Sequence, residues 1–209
     1  MRKKLVAMMC LVGLCMGILA GCGSSDSDKA SSSAAMPADS AAAIGGTSSM
    51  AAPAGGDVTE LGNFKMDTID GKTFTSDDLK GHKLTLVNVF ATFCNPCIAE
   101  IPDLNKLNNE MKDKGVQVIG VVMDVTDGKK ELKDIVEKAK KIQKDTGAEY
   151  PFCKPDKGML NGRLAGITTL PTTFLVDENG KIVGETYAGS KSLEEWKQVI
   201  EQELAKVQG

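Results

Sequence analysis

The feature that most constrains this chain is a mainly apolar run at residues 84–91, followed after two residues by a Cys94-Asn95-Pro96-Cys97 motif that opens a helical segment. Such a run is typical of a strand buried on both faces of a parallel sheet. Two cysteines separated by two residues at a strand-to-helix turn indicate a redox pair. The helix dipole favours a thiolate at Cys94, and Cys97 follows one turn later. The motif therefore predicts thiol–disulfide exchange, with the disulfide as the redox group and no other cofactor.

Strand and helix patterns alternate along residues 58–209, which predicts an α/β three-layer α/β/α sandwich with a central mixed sheet. An Asp70-Gly71 turn predicts a hairpin at the N-terminal end of this region. The predicted strands are residues 64–69, 72–75, 84–91, 116–123, 150–153, 172–176 and 182–187, and the predicted helices are residues 96–114, 128–146 and 193–207, with short helical turns at 76–80 and 159–164.

The N-terminus has the pattern of an export signal. Three basic residues at positions 2–4 precede an apolar stretch at 5–20, which is shorter than an ordinary membrane span. The stretch ends in Leu19-Ala20-Gly21-Cys22, which resembles the lipobox of bacterial lipoproteins. By that resemblance residues 1–21 are a lipoprotein signal peptide, and Cys22 carries the lipid that holds the protein at a membrane. An ordinary secretory signal and a retained signal anchor are the alternatives.

The remaining organisation follows from composition. Residues 22–57 are rich in Ser, Ala and Gly, so they are expected to form a flexible tether ahead of one domain at residues 58–209. The chain carries 25 basic and 28 acidic side chains, a net charge of −3, and no basic patch interleaved with aromatic residues. This balance argues against a nucleic-acid partner.

Three segments together are specific to one family. They are residues 87–97 (VNVFATFCNPC), the Glu100-Ile101-Pro102 that follows, and residues 166–177 (GITTLPTTFLVD). With them the chain resembles the thioredoxin superfamily, and within it the TlpA/ResA-like membrane-anchored thiol–disulfide oxidoreductases, in the same broad grouping as the AhpC/TSA peroxiredoxins. The resemblance covers essentially all of residues 58–209 and implies a thioredoxin-like fold.

The resemblance also implies roles for individual residues. Cys94 is expected to be the exposed nucleophile and Cys97 the buried resolving thiol. Glu100 is expected to handle protons near the pair, since Asn88 stands where thioredoxins carry a buried aspartate. Pro171 matches the family's cis-proline, and with Leu170, Asn95 and Pro96 it would form the surface that meets the substrate.

Each of these residues also has a simpler explanation. The cysteine pair could be half of a structural zinc site, although the sequence offers no spacing for two further ligands and no metal site is predicted. Glu100 could be a surface residue that complements the helix dipole, and Pro171 could be trans. Cys153 is interpreted as a buried small apolar residue, with a regulatory or exchanging thiol as the alternative.

The predicted activity is reduction of disulfides in exported proteins at the extracytoplasmic face of a bacterial cell membrane. By resemblance, a CcdA/DsbD-like membrane electron carrier would restore the dithiol. Apocytochrome c and methionine sulfoxide reductase are possible clients.

Two other functions compete with this one. An AhpC/TSA-type thiol peroxidase would need a Pro-x-x-x-Thr-x-x-Cys loop, but Val87 stands at its proline position. A Sco-like metallochaperone would need a CxxxC pair and a histidine that follows it.

Overall fold

Residues 58–207, which the computed structural model describes, alternate between strands and helices much as predicted. Short 3₁₀ turns link several of the elements. In chain order the strands and helices are β1 (Lys65–Asp67), β2 (Thr73–Thr75), β3 (Leu84–Phe90), α1 (Asn95–Met111), β4 (Val116–Val122), α2 (Lys133–Thr146), β5 (Phe152–Cys153), α3 (Lys157–Asn161), β6 (Thr172–Val176), β7 (Ile182–Ala188) and α4 (Leu193–Val207).

The five-stranded sheet has the order β5-β4-β3-β6-β7. β3 pairs in parallel with β4, and β4 pairs in parallel with β5. On the other side, β3 pairs antiparallel with β6 and β6 pairs antiparallel with β7. The predicted mixed sheet is therefore confirmed, and the apolar run of the redox motif forms its central strand. The predicted hairpin is also present, as the antiparallel pair β1–β2.

The two faces of the sheet carry different layers. α1, α2 and α4 pack together on one face, where they share a core with Leu84, Leu86 and Phe90 of β3. The hairpin and α3 cover the opposite face, against Val87 and Val89. Successive residues of a strand point to opposite faces. Asn88 is therefore on the face of α1 and α4, inside an otherwise apolar strand.

The prediction of a helix over residues 128–146 is wrong at its start, because α2 begins only at Lys133. The backbone N–H groups of Lys129 and Lys130 donate to the Asp127 carboxylate, and that of Gly128 donates to Thr126. These local bonds satisfy the backbone in a turn and compete with helix formation. The side of α2 that faces the core is apolar, since Val136, Ala139 and Ile142 are buried.

Two short elements are also displaced from their predicted bounds. The helical turn predicted at residues 159–164 is α3, which begins two residues earlier because the Asp156 carboxylate caps it by accepting from the N–H of Met159 at 2.7 Å. The strand predicted at 150–153 contains only Phe152 and Cys153. The last strand pair and α4 lie within one residue of their predicted bounds.

The predicted signal peptide, the lipidated Cys22 and the tether at residues 22–57 lie outside the described residues. Within residues 58–207 no helix combines the length and the apolar character needed to cross a membrane.

Candidate active site

Cys94 and Cys97 form a disulfide at the N-terminus of α1, with their Cα atoms 5.3 Å apart. Cys94 is the N-cap residue of the helix, and its sulfur accepts a hydrogen bond from the backbone N–H of Cys97 at 3.3 Å. Cys94 is 8% exposed, whereas Cys97 is fully buried. The first cysteine is therefore the one that another molecule can reach, and the helix terminus favours a negative charge on its sulfur.

The turn that presents the disulfide is fixed to the neighbouring strand. The carboxylate of Asp124, which follows β4, accepts hydrogen bonds from the backbone N–H of Thr92 at 3.0 Å and from its hydroxyl at 2.6 Å. Pro96 lies in the first turn of α1, where its missing N–H costs no hydrogen bond because first-turn N–H groups have no partner within the helix. The cysteines thus project from a braced strand-to-helix turn at the end of the central strand.

Glu100 is buried one turn after Cys97, with an exposure of 3%. Its Oε1 accepts hydrogen bonds from the backbone N–H of Lys191 and from the indole N–H of Trp196, each at 2.8 Å. Its Oε2 accepts from the amide of Asn88 at 3.3 Å. The spacing of three residues places the carboxylate on the same helical face as Cys97. Glu100 is therefore an interior residue and not a surface glutamate at the helix start.

Burial raises the pKa of Glu100 above its ordinary value, because a carboxylate in the interior loses its hydration. The hydrogen bonds from Lys191, Trp196 and Asn88, together with the positive charge of Lys191, act in the opposite direction but do not cancel the effect of burial. A buried carboxyl group with a raised pKa holds its proton to higher pH than an exposed one, which suits general acid–base chemistry.

The bond between Leu170 and Pro171 is cis, as the resemblance implied. Pro171 immediately precedes β6, and Thr172 of β6 is paired with Val89 near the end of β3. This register brings the proline to the end of the sheet from which the cysteine motif emerges. Leu170 is partly buried and packs against both cores.

The surface around the disulfide combines apolar and neutral polar groups. Phe93, directly before Cys94, is 70% exposed, which is unusual for a large apolar side chain. Asn95 and Pro96 are also exposed. An exposed aromatic ring beside a reactive sulfur gives a partner chain an apolar surface to bind.

Cys153 lies away from this site, in β5 on the face covered by the hairpin. It is a fully buried free thiol, and burial raises its pKa to about 12. These features agree with its interpretation as a small apolar residue. Among the described residues, no group of three or more His, Cys, Asp or Glu side chains is arranged to hold a metal ion.

Two partners of Glu100 were not predicted from the sequence. The sequence patterns single out neither Trp196 nor Lys191. Both lie more than 90 residues from Glu100 in the chain, so no local spacing indicates the contact. The clearest available signal was that Trp196 is the single tryptophan of the chain, because a buried indole N–H requires a hydrogen-bond acceptor.

Comparisons with known proteins agree with this geometry. A sequence model of the AhpC/TSA family matches residues 59–184. The chain is similar to the thiol-disulfide oxidoreductase ResA of Bacillus thuringiensis, with 35% identity over 136 residues that span 65% of this chain and 72% of the relative. It is also similar to the crystal structure of a thioredoxin family thiol:disulfide interchange protein from Chlorobium tepidum, with 30% identity, a TM-score of 0.58, and coverage of 70% of this chain and 96% of that one.

A second solved structure is the exposed lipoprotein thioredoxin Etrx1 of Streptococcus pneumoniae. It shares 26% identity with this chain, with a TM-score of 0.55 and coverage of 67% of this chain and 98% of that one.

Proposed function

Since this chain belongs to the AhpC/TSA family and is a thiol–disulfide oxidoreductase, we propose that it reduces disulfides in exported proteins through Cys94 and Cys97. The observation that carries the proposal is the disulfide at the N-terminus of α1, of whose two cysteines Cys94 is the more exposed. The pair stores two electrons as a dithiol and is left as this disulfide after each turnover.

The proposed reaction has two exchange steps. The Cys94 thiolate attacks one sulfur of the client disulfide, which breaks the client's S–S bond and forms a mixed disulfide. The Cys97 thiolate then attacks the Cys94 sulfur and releases the client's second thiol. The client gains two electrons and two protons, while the Cys94–Cys97 disulfide re-forms.

Removal of the proton from the Cys97 thiol in the resolving step requires a base, because a buried thiol resists ionisation. Glu100 is the carboxyl group on the same helical face, and its raised pKa suits an exchange of protons with that thiol. Its ionised form would accept the Cys97 proton in the resolving step, and its protonated form would return a proton when the disulfide is reduced again.

The client is proposed to bind as an extended segment beside Pro171 and Leu170. Phe93 supplies an exposed apolar contact next to the reacting sulfur, and Asn95 and Pro96 form the outer rim of the same surface. The uncharged pair between the cysteines offers little extra stabilisation to the Cys94 thiolate, which favours a reducing role. Apocytochrome c and methionine sulfoxide reductase are candidate clients.

The proposed location is the extracytoplasmic face of the bacterial cell membrane, with the lipid on Cys22 as the anchor. The lipobox-like ending of the signal segment supports this anchor, as does the similarity to a pneumococcal exposed lipoprotein thioredoxin. A CcdA/DsbD-like membrane carrier would reduce the Cys94–Cys97 disulfide between turnovers.

The reduction potential of the full chain tests the direction of electron flow. Equilibration with dithiothreitol and glutathione buffers, followed by thiol trapping, should give a value well below about −200 mV, the reducing side of the protein disulfide isomerase range. A value near about −120 mV, like that of a strong periplasmic oxidant, would refute the reductase.

Cysteine variants test the order of attack and separate this function from its competitors. With insulin as a model client, Cys97→Ser should accumulate a mixed disulfide through Cys94, whereas Cys94→Ser should accumulate none. Mixed disulfides in both variants or in neither would contradict the assigned roles.

Turnover of hydrogen peroxide without any other protein would favour the peroxidase, and stoichiometric copper binding would favour the metallochaperone.

A further inference from the structure

The corner between β7 and α4 supplies two N–H donors to one oxygen of Glu100. The backbone N–H of Lys191 and the indole N–H of Trp196 both point at Oε1, each at 2.8 Å. Trp196 is fully buried and Glu100 nearly so. Hydrogen bonds to an ionised group in a dry environment are stronger than those between neutral groups. This corner therefore interacts more strongly with the ionised form of Glu100 than with the protonated form.

The tryptophan is held in place by its own neighbours. Tyr187 of β7 packs edge-on against the indole, with the ring centroids 5.5 Å apart. The ammonium group of Lys191 lies 5.3 Å from the centroid of Tyr187 and 5.9 Å from that of Trp196, within the range of a cation–π contact. These contacts fix the orientation of the indole that donates to Glu100. They also hold the ammonium group of Lys191 beside the same two rings.

The other groups that face Glu100 add few charges. β3 presents the neutral amide of Asn88, which also donates to the hydroxyl of Thr173 on β6 at 2.9 Å. Tyr150, before β5, is buried, and the charge of Glu100 helps to raise its pKa, so it stays neutral. On α1, Cys97 lies three residues before Glu100 on the same helical face and becomes titratable once the disulfide is reduced, and Asp103 lies three residues after it. Lys191 is therefore the cationic group that this structure places against the carboxylate.

We propose that Trp196 is a positioning residue for Glu100, and that its indole N–H sets the pH range in which the Cys94–Cys97 pair exchanges disulfides. The inference rests on the proposed role of Glu100 as the proton carrier of the pair. Loss of the indole N–H disfavours the carboxylate form, so a higher pH is needed before Glu100 can accept a proton. Trp196 thereby acts on the chemistry through its hydrogen bond to Glu100.

The first experiment uses the fluorescence of Trp196, the single tryptophan of the chain. The full chain is kept oxidised so that neither cysteine of the pair titrates. The emission is expected to change with pH in one step, and this step should disappear in Glu100→Gln. Emission that does not change with pH, or a step that survives in Glu100→Gln, overturns the inference. This measurement requires neither catalytic activity nor a substitution of Trp196.

The second experiment compares pH profiles of the reaction between the reduced full chain and glutathione disulfide. Trp196→Phe keeps an aromatic ring in the core but removes the N–H, and its profile is expected to move upward by about one pH unit. Tyr187→Phe is the matched control, because it alters the packing partner of the indole and leaves the bond to Glu100. Its profile should coincide with that of the unchanged chain.

The outcomes separate this inference from the proposed function. If Glu100→Gln changes the profile but Trp196→Phe does not, the role of Trp196 is overturned and that of Glu100 stands. If Glu100→Gln leaves the profile unchanged, the proposed role of Glu100 fails and this inference fails with it. Loss of exchange in Cys94→Ser tests the oxidoreductase chemistry independently of both.

Discussion

At the scale of single residues, Glu100 is where the fold and the proposed chemistry impose opposite demands. Burial disfavours its charge, while three hydrogen-bond donors favour it. An ionisable group in this position lowers stability over part of the pH range, which is acceptable where the chemistry needs a proton carrier. Asn88, in the position where thioredoxins carry an acid, donates to Glu100 and adds no second carboxylate to the interior.

The raised pKa of Glu100 predicts a pH-dependent stability. Above its ordinary value of 4.5, the unfolded chain releases the proton that the folded chain still holds, so the free energy of unfolding falls as pH rises toward the folded pKa. The fall should be about 1.4 kcal/mol for each unit that separates the two pKa values. Urea unfolding of the oxidised full chain at several pH values measures it.

Glu100→Gln is the matched variant for this measurement. The Gln side chain accepts the bonds from Lys191 and Trp196 but does not ionise, and the Asn88 amide can turn over to accept from the new NH₂ group. The variant should therefore lack the decline in stability above pH 4.5 that burial imposes on Glu100. An equal decline in both proteins would assign it to another group.

A second prediction concerns Cys153. Its thiol is fully buried with a pKa of about 12, so almost no thiolate exists at neutral pH. Cys153→Ala should leave the rate of disulfide exchange unchanged and cost about 1 kcal/mol of stability for the lost sulfur. Insulin reduction and urea unfolding check the two statements. Slower exchange in the variant would mean that Cys153 takes part in the reaction.

At the scale of secondary-structure elements, β7 and α4 approach each other closely at one glycine. Gly184 of β7 has a φ of +68°, and a Cβ there would lie 2.6 Å from the Cδ of the buried Glu203 on α4. A side chain at this position is unfavourable both for the backbone and for the packing of the two elements. The same pair of elements forms the corner that holds Glu100, so their packing fixes the geometry of the site.

Gly184→Ala and Gly147→Ala separate these two costs. Gly147 ends α2 with the same φ of +68°, but a Cβ there would have nothing within 4 Å. Gly147→Ala should therefore cost only the left-handed backbone, roughly 1–2 kcal/mol. Gly184→Ala should cost a further 1–3 kcal/mol or so because Glu203 must move. If the two variants lose equal free energy of unfolding, Glu203 and α4 move aside at no cost in stability.

At the scale of the whole molecule, the described residues 58–207 contain two packed cores of their own. We therefore expect the fragment 58–209 to fold by itself and to unfold in urea with the same midpoint and slope as the full chain. A lower midpoint for the fragment would show that residues 1–57 contribute to the stability of the domain. The test also decides whether the predicted domain boundary at residue 58 is correct.

Short-range patterns were sufficient to place the regular elements, though not all of their bounds, and to find the redox pair. Residues 84–90 of the predicted strand form β3, because a mainly apolar run of this length is favoured inside a sheet that is buried on both faces. α4 followed from its helical periodicity, and the hairpin from its Asp-Gly turn. The start of α2 was not predicted correctly. Periodicity does not reveal the side-chain bonds of Thr126 and Asp127, which hold the backbone in a turn and so delay the start of the helix.

By itself the sequence determined the alternation of strands and helices and the place of the two cysteines, because these depend on apolar patterns and on spacing within a few residues. The tertiary structure decided the surroundings of Glu100. Its donors come from β3, from the chain before α4 and from α4 itself, and Trp196 lies 96 residues away. Such contacts arise only when packing brings distant elements together, and the degree of burial that raises the pKa of Glu100 arises in the same way.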